Sequence, residues 1–162
     1  MPAMFETAFE DSIEGFISQW KPYAATVQLF SRTEGNPLLE CGAAGKIFHV
    51  LERTGPYQVG PGSAQIIVSA VTEKVEKATE TRKRLEVSGL SRVHAQGPIL
   101  LRQQRTVVVD AGIPLVVGVF AGLPDDVAAG DWLEFTSLPP LHGFVTSRVQ
   151  RPLLSEQSEE GL

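Results

Sequence analysis

The sequence predicts a mainly β protein: a small antiparallel barrel or sandwich of about seven or eight strands, carrying one N-terminal amphipathic helix. Three observations point there. Residues 99–149 hold a series of short apolar bursts, ILLRQQRTVVVD, LVVGVFAG, WLEFTS and HGFVTSRV, each bounded by Gly, Pro or Asp. Short runs rich in Val, Ile and Phe between turn formers are the signature of consecutive strands. The 15 glycines and 11 prolines fall between apolar runs, where turns need them. The third observation is a single helical stripe, confined to the first 20 residues.

In that stripe Phe5, Phe9, Ile13, Phe16, Ile17 and Trp20 recur on one face, with Glu6, Glu10, Asp11 and Glu14 on the others. Lys21-Pro22 ends the helix, because the residue before proline avoids helical dihedrals. The stripe is expected to pack on the domain's own sheet; the sharper alternative is a groove on a neighbouring subunit. Residues 1–21 are thus the helix, 22–152 the β domain and 153–162 an acidic tail.

Within the β domain, YAATVQLFS (residues 23–31) alternates as a strand and TEGNP turns the chain. KIFHVLER (residues 46–53) reads as a strand or short helix, and TGPYQVGPGS (residues 54–63) as a loop. QIIVSAV (residues 65–71) is a buried strand. Residues 72–84 fit either a helix with Glu73–Lys77 and Glu80–Arg84 pairs or a charged hairpin arm returning through RLEVS. Three threonines and the Leu85/Val87 alternation favour the hairpin. Residues 91–95 extend its return strand, up to a break at Gly97-Pro98.

A chain of 162 residues buries about 70% of its unfolded surface, and needs neither disulfide nor metal to fold. Its one cysteine excludes an internal disulfide and fits a reducing interior. No apolar run reaches the roughly 20 residues that cross a bilayer, and the acidic start lacks a signal peptide's basic region. The expected location is therefore the cytoplasm of the source or a host cell. The net charge of −5 is polarised: residues 73–105 carry eight basic side chains against four acidic ones, +4, and the rest of the chain is −9. Such a chain can pair head to tail with its own copies or offer its basic part to an anionic partner.

No reaction is legible. His49, His94 and His142 lack metal-ligand spacing to one another or to Cys41, so no metal or cofactor is expected. Cys41 in LECGAAGK reads as a small, semi-buried residue of a glycine-rich turn. Gly42 to Lys46 lacks both the glycine spacing and the Ser or Thr of a phosphate loop. Asp125, Asp126 and Asp131 suit a turn, where carboxylates accept backbone N–H bonds.

The segment VAAGDWLEF (residues 127–135), followed by Gly143-Phe144-Val145, resembles the closing strands of small β-barrels, among them head–tail joining and related structural proteins of tailed phages. That resemblance implies a non-enzymatic assembly protein, a homo-oligomer or part of a virion. The residues expected to carry contacts are Phe5, Phe9, Trp20, Arg82, Lys83 and Arg84. The alternative is an OB-like nucleic-acid binder using the basic segment 74–105, through Arg82, Lys83, Arg84, Arg92, Arg102 and Arg105. The absence of Phe, Tyr and Trp from residues 73–105 counts against base stacking there. Third is a small-ligand or catalytic site in a barrel mouth near His142 and Cys41.

Overall fold

A computed structural model describes residues 12–31, 36–54 and 61–148. Phe5, Phe9, the start of the helical stripe, most of the loop at residues 54–63 and the acidic tail lie outside them. The described chain holds one helix, α1 (Ile13–Trp20), and eleven strands. These are β1 (Ala25–Leu29), β2 (Leu38–Ala43), β3 (Lys46–Glu52), β4 (Gly62–Thr72), β5 (Glu76–Lys77), β6 (Arg84–Ser88), β7 (Arg92–Gln103), β8 (Thr106–Asp110), β9 (Pro114–Val119), β10 (Trp132–Thr136) and β11 (Leu138–Arg148).

Five of the strands close on themselves in the order β1-β2-β3-β11-β4, with β4 returning to β1. Four of these contacts are antiparallel, and β3–β11 is parallel. The alternation of the strands fills the inside: Val27, Leu29, Leu39, Cys41, Phe48, Val50, Ile66, Val68 and Leu141 are at most 2% exposed. β4 is long enough to serve twice. Its first half closes the barrel on β1, and its second half pairs with β9 in parallel. From β9 the sheet continues through β8 to the second half of β7.

β7 also serves twice. Its first half leaves β8 and forms an outer sheet, flanked by β6 on one edge and β10 on the other, with β5 beyond β10. Gly97-Pro98 is therefore not a break. At Pro98 the partner changes, since β6 pairs as far as Gln96 and β8 from Ile99, so proline's missing N–H costs no ladder bond on that edge. Gly97 is required, because a Cβ there would lie 1.9 Å from the Asp110 carbonyl oxygen.

The count exceeds the expected seven or eight because Gln104-Arg105 turns the chain inside ILLRQQRTVVVD, making two strands of one apolar burst, and because β2 and β5 add strands where none was expected. The parallel pairings, β3–β11 and β4–β9, qualify the antiparallel expectation. The arm at residues 72–84 is neither a helix nor a hairpin of its own. Glu76–Lys77 pairs with Leu133 and Glu134, Gln96 Nε2 donates to the Arg82 carbonyl at 2.7 Å, and RLEVS pairs with β7. Buried Val75 and Leu85 anchor the segment, so its charges lie flat on the outer sheet instead of projecting.

Helix α1 begins where Ser12 accepts the Gly15 N–H at 3.0 Å. It ends as expected at Lys21, passing into a short 3₁₀ turn, Lys21–Tyr23. Its apolar face packs on the outside of the chain's own sheet. Phe16 and Trp20, 3% and 4% exposed, cover Ile67, Val108, Val116 and Phe144, and the Phe16 and Phe144 rings stand 4.5 Å apart.

Candidate functional site

The outer sheet is where polar side chains gather. His94 on β7 and Glu134 and Thr136 on β10 share its outward face, because alternate residues of a strand point the same way. His94 Nδ1 lies 2.9 Å from Thr136 Oγ1, and its Nε2 lies 3.3 Å from Glu134 Oε1. A neutral ring satisfies both contacts, with Nε2–H donating to the carboxylate and Nδ1 accepting from the hydroxyl. These three side chains line an open cleft of about 320 Å³. Lys74 and Glu76 line it from the arm, and half-buried Leu138 from the start of β11. Glu76 stands directly opposite Glu134 across the β5–β10 pair, an arrangement of like charges that destabilises a bare sheet.

The basic segment does not make one surface. Arg102 Nη1 donates to the carbonyls of Pro124 (2.7 Å) and Val127, so the guanidinium holds the loop before β10. Arg105 Nη2 donates to the Phe120 carbonyl at 2.6 Å. Lys83 Nζ is 2.8 Å from Asp110 Oδ2, while Arg84 lies within 4 Å of both Glu80 and Glu86. Among the described residues Arg82, with a side chain 67% exposed, has only Glu80 as an ion-pair partner, at 3.6 Å. Arg92 and Arg102 sit on one strand, about 33 Å apart at the usual rise. Lys77 and Asp126 pair at 2.8 Å; their hydrogen bond, with the charge attraction behind it, raises the ammonium pKa and lowers that of the carboxyl.

Of the expected contact residues, Trp20 is covered by the chain's own sheet, which leaves it unavailable to a neighbour, and Phe5 and Phe9 lie outside the described residues. Cys41 and His142 do not meet. Cys41 lies in strand β2, not in the turn after it, and points into the barrel; burial, then the Glu40 charge, pushes its thiol up to about 12. His142 points to the outside of the wall, where Arg53 Nη1 lies 3.0 Å from Nδ1. Guanidinium only donates, so Nδ1 accepts and Nε2 carries the proton. Burial, then the Arg53 charge, lowers its pKa to about 4. The buried hydroxyl of Ser69, opposite His142 on β4, thus gains no general base from it.

Asp125, Asp126 and Asp131 bear out the turn reading in part: Asp131 Oδ2 accepts the Ala128 N–H at 2.9 Å. Among the described residues no group of three or more His, Cys, Asp or Glu side chains is placed to hold a metal ion. None of their helices is long and apolar enough to cross a membrane. Sequence reasoning missed the His94–Glu134–Thr136 cluster. The alternation of WLEFT put Glu134 and Thr136 on one face, but nothing local revealed that β10 pairs with the first half of β7.

No protein-family model, curated protein or solved structure matches this chain.

Proposed function

We propose that this protein is a non-enzymatic structural or binding module that works through protein–protein contacts, as a homo-oligomer or as part of a larger particle such as a virion. Its place is then the cytoplasm of the source or host cell, or the particle itself. The observation that carries this reading is how the side chains are employed. Arg102, Arg105, Lys83 and His142, the groups suited to gripping phosphate or moving protons, hold the chain to itself. Large apolar side chains are left outside instead: Ile47, Leu90, Leu100 and Phe120 are 41–61% exposed. The Leu90 backbone runs beside β3, where its carbonyl accepts the His49 N–H at 2.9 Å. Large apolar side chains left exposed favour association with another protein surface.

The closed five-stranded barrel favours a second reading, an OB-like nucleic-acid binder. Such barrels bind on the face of their second and third strands. Here that face offers Glu40, Ile47 and His49, with Lys46 at the turn, a poor match to a polyanion.

Light scattering on the purified chain at low and high salt tests the primary reading. A defined oligomer is the expected result. A monomer at both salts sinks the homo-oligomer form; an affinity for DNA or RNA falling steeply with salt would transfer the case to the second reading.

A further inference from the structure

The cleft and the arm beside it are complementary. The cleft presents Glu76 and Glu134 directly opposite each other with Glu73 at the rim, against one lysine, Lys74. Its volume of about 320 Å³ admits a long side chain, and half-buried Leu138 gives an aliphatic stem something to lie on. With two carboxylates abreast, the geometry suits a guanidinium, which spans paired acceptors with its fork of N–H groups. None of Arg82, Lys83 and Arg84 lines the cleft of its own chain.

The nearest source of such a group is the arm itself. Arg82 is held over the outer sheet by the Gln96 bond to its carbonyl, and Gln96 lies two residues from His94 on the same face of β7. Arg82 is also the least engaged cation of its trio, as Lys83 is held by Asp110 and Arg84 is only 28% exposed between two glutamates. A two-fold axis parallel to this sheet, in the plane between two outer sheets set face to face, would lay each copy's Arg82 over the other's cleft, the reciprocal contact of an isologous dimer.

We infer that the outer sheet is a self-association face on which Arg82 of one copy enters the Glu76–Glu134 cleft of a second. This deepens the proposed function and rests on its homo-oligomeric form. The two symmetric ion pairs relieve the Glu76–Glu134 repulsion and fix the register, while half-buried Trp132 and Leu138 contribute apolar contact beside them.

The test is charge exchange on the full chain, read by light scattering over a concentration series. Arg82→Glu and Glu76→Arg both fall on exposed side chains, 67% and 62%, so neither threatens the fold. Each reversal acts twice in a two-fold dimer, and each alone is expected to raise the dimer's dissociation constant about a hundredfold. The double variant restores it to within about tenfold of the wild type, because the pair is re-formed with its signs exchanged. Single variants that associate like an oligomeric wild type overturn this face and leave the assembly reading standing. A double variant no better than the singles also overturns it. A wild-type chain that is monomeric throughout overturns both this face and the homo-oligomer.

Discussion

The barrel and the outer sheet are built from the same kind of strand yet are stabilised differently. Inside the barrel, Leu39, Phe48, Val50, Ile66, Val68 and Leu141 are fully buried and interlocked, which is the condition for several kcal/mol per side chain. On the outer sheet and its loops lie the ion pairs Lys74–Glu76, Lys77–Asp126, Arg82–Glu80, Lys83–Asp110 and Arg84–Glu80, each with at least one half-exposed partner. Exposed pairs of this kind contribute little individually and are screened by salt. The barrel therefore sets the fold, and the outer sheet is free to vary its charge. That division makes it the better place for recognition.

The seam between the two regions is the most sensitive point. Gly97 sits where β7 crosses from one sheet to the other, with the Asp110 carbonyl 1.9 Å from where a Cβ would stand. Backbone cannot yield as a side-chain tip does, so Gly97→Ala is expected to cost at least about 3 kcal/mol. A urea titration measures it. A loss below about 1 kcal/mol would mean that the outer sheet can shift freely on the barrel, and the comparison would fail.

Helix α1 tests whether the outside of the barrel behaves as core. Phe16 packs on Phe144 as tightly as interior residues pack on one another. Phe16→Ala should cost about 3–4 kcal/mol, and amide exchange should rise through α1 while β3 and β4 stay protected. Equal loss of protection in the barrel strands would show that helix and barrel form one cooperative unit.

How legible these regions were in the sequence follows the same division. The strands Ala25–Leu29 and Gly62–Thr72 and the apolar face of α1 could be read because burial imposes a period on the residues that make it. What could not be read was long-range pairing. RLEVS looked like the return strand of an arm because its partner, the first half of β7, comes after it. Gly97-Pro98 looked like a break because a strand that changes partners carries the same residues as one that stops. The Glu76–Glu134 opposition spans 58 positions in the chain and depends on a two-residue strand, too short to leave a pattern.

A smaller effect should appear with pH, at the outer wall of the barrel. His142 has a folded pKa of about 4 against an ordinary 6.5. Between those values the unfolded chain holds a proton that the native chain lacks, so stability rises with pH across that window. Acidification from about 6.5 to 4 therefore removes stability, with no further loss from this group below 4. His142→Gln, which cannot protonate but keeps an acceptor for Arg53, should flatten that part of the profile of urea midpoints. An unchanged slope in the variant would reject His142 as its source.

The smallest effect is expected from Lys83, and it separates the two regions most directly. Its ammonium bridges the arm to Asp110 at 2.8 Å, with Asp110 24% exposed and the lysine 50%. Asp110 keeps a second anchor, since its Oδ1 accepts the Gly112 N–H at 3.1 Å, so losing the lysine does not orphan the carboxylate. Lys83→Ala should therefore cost less than about 1 kcal/mol, and the difference should shrink further in high salt. Amide exchange should quicken at the arm and leave β4 and β9 untouched. A cost near that of Phe16→Ala, insensitive to salt, would mean that the pair is buried in effect and the outer sheet as rigid as the barrel. Its charges would then be structural, and the case for recognition on that face would weaken with them.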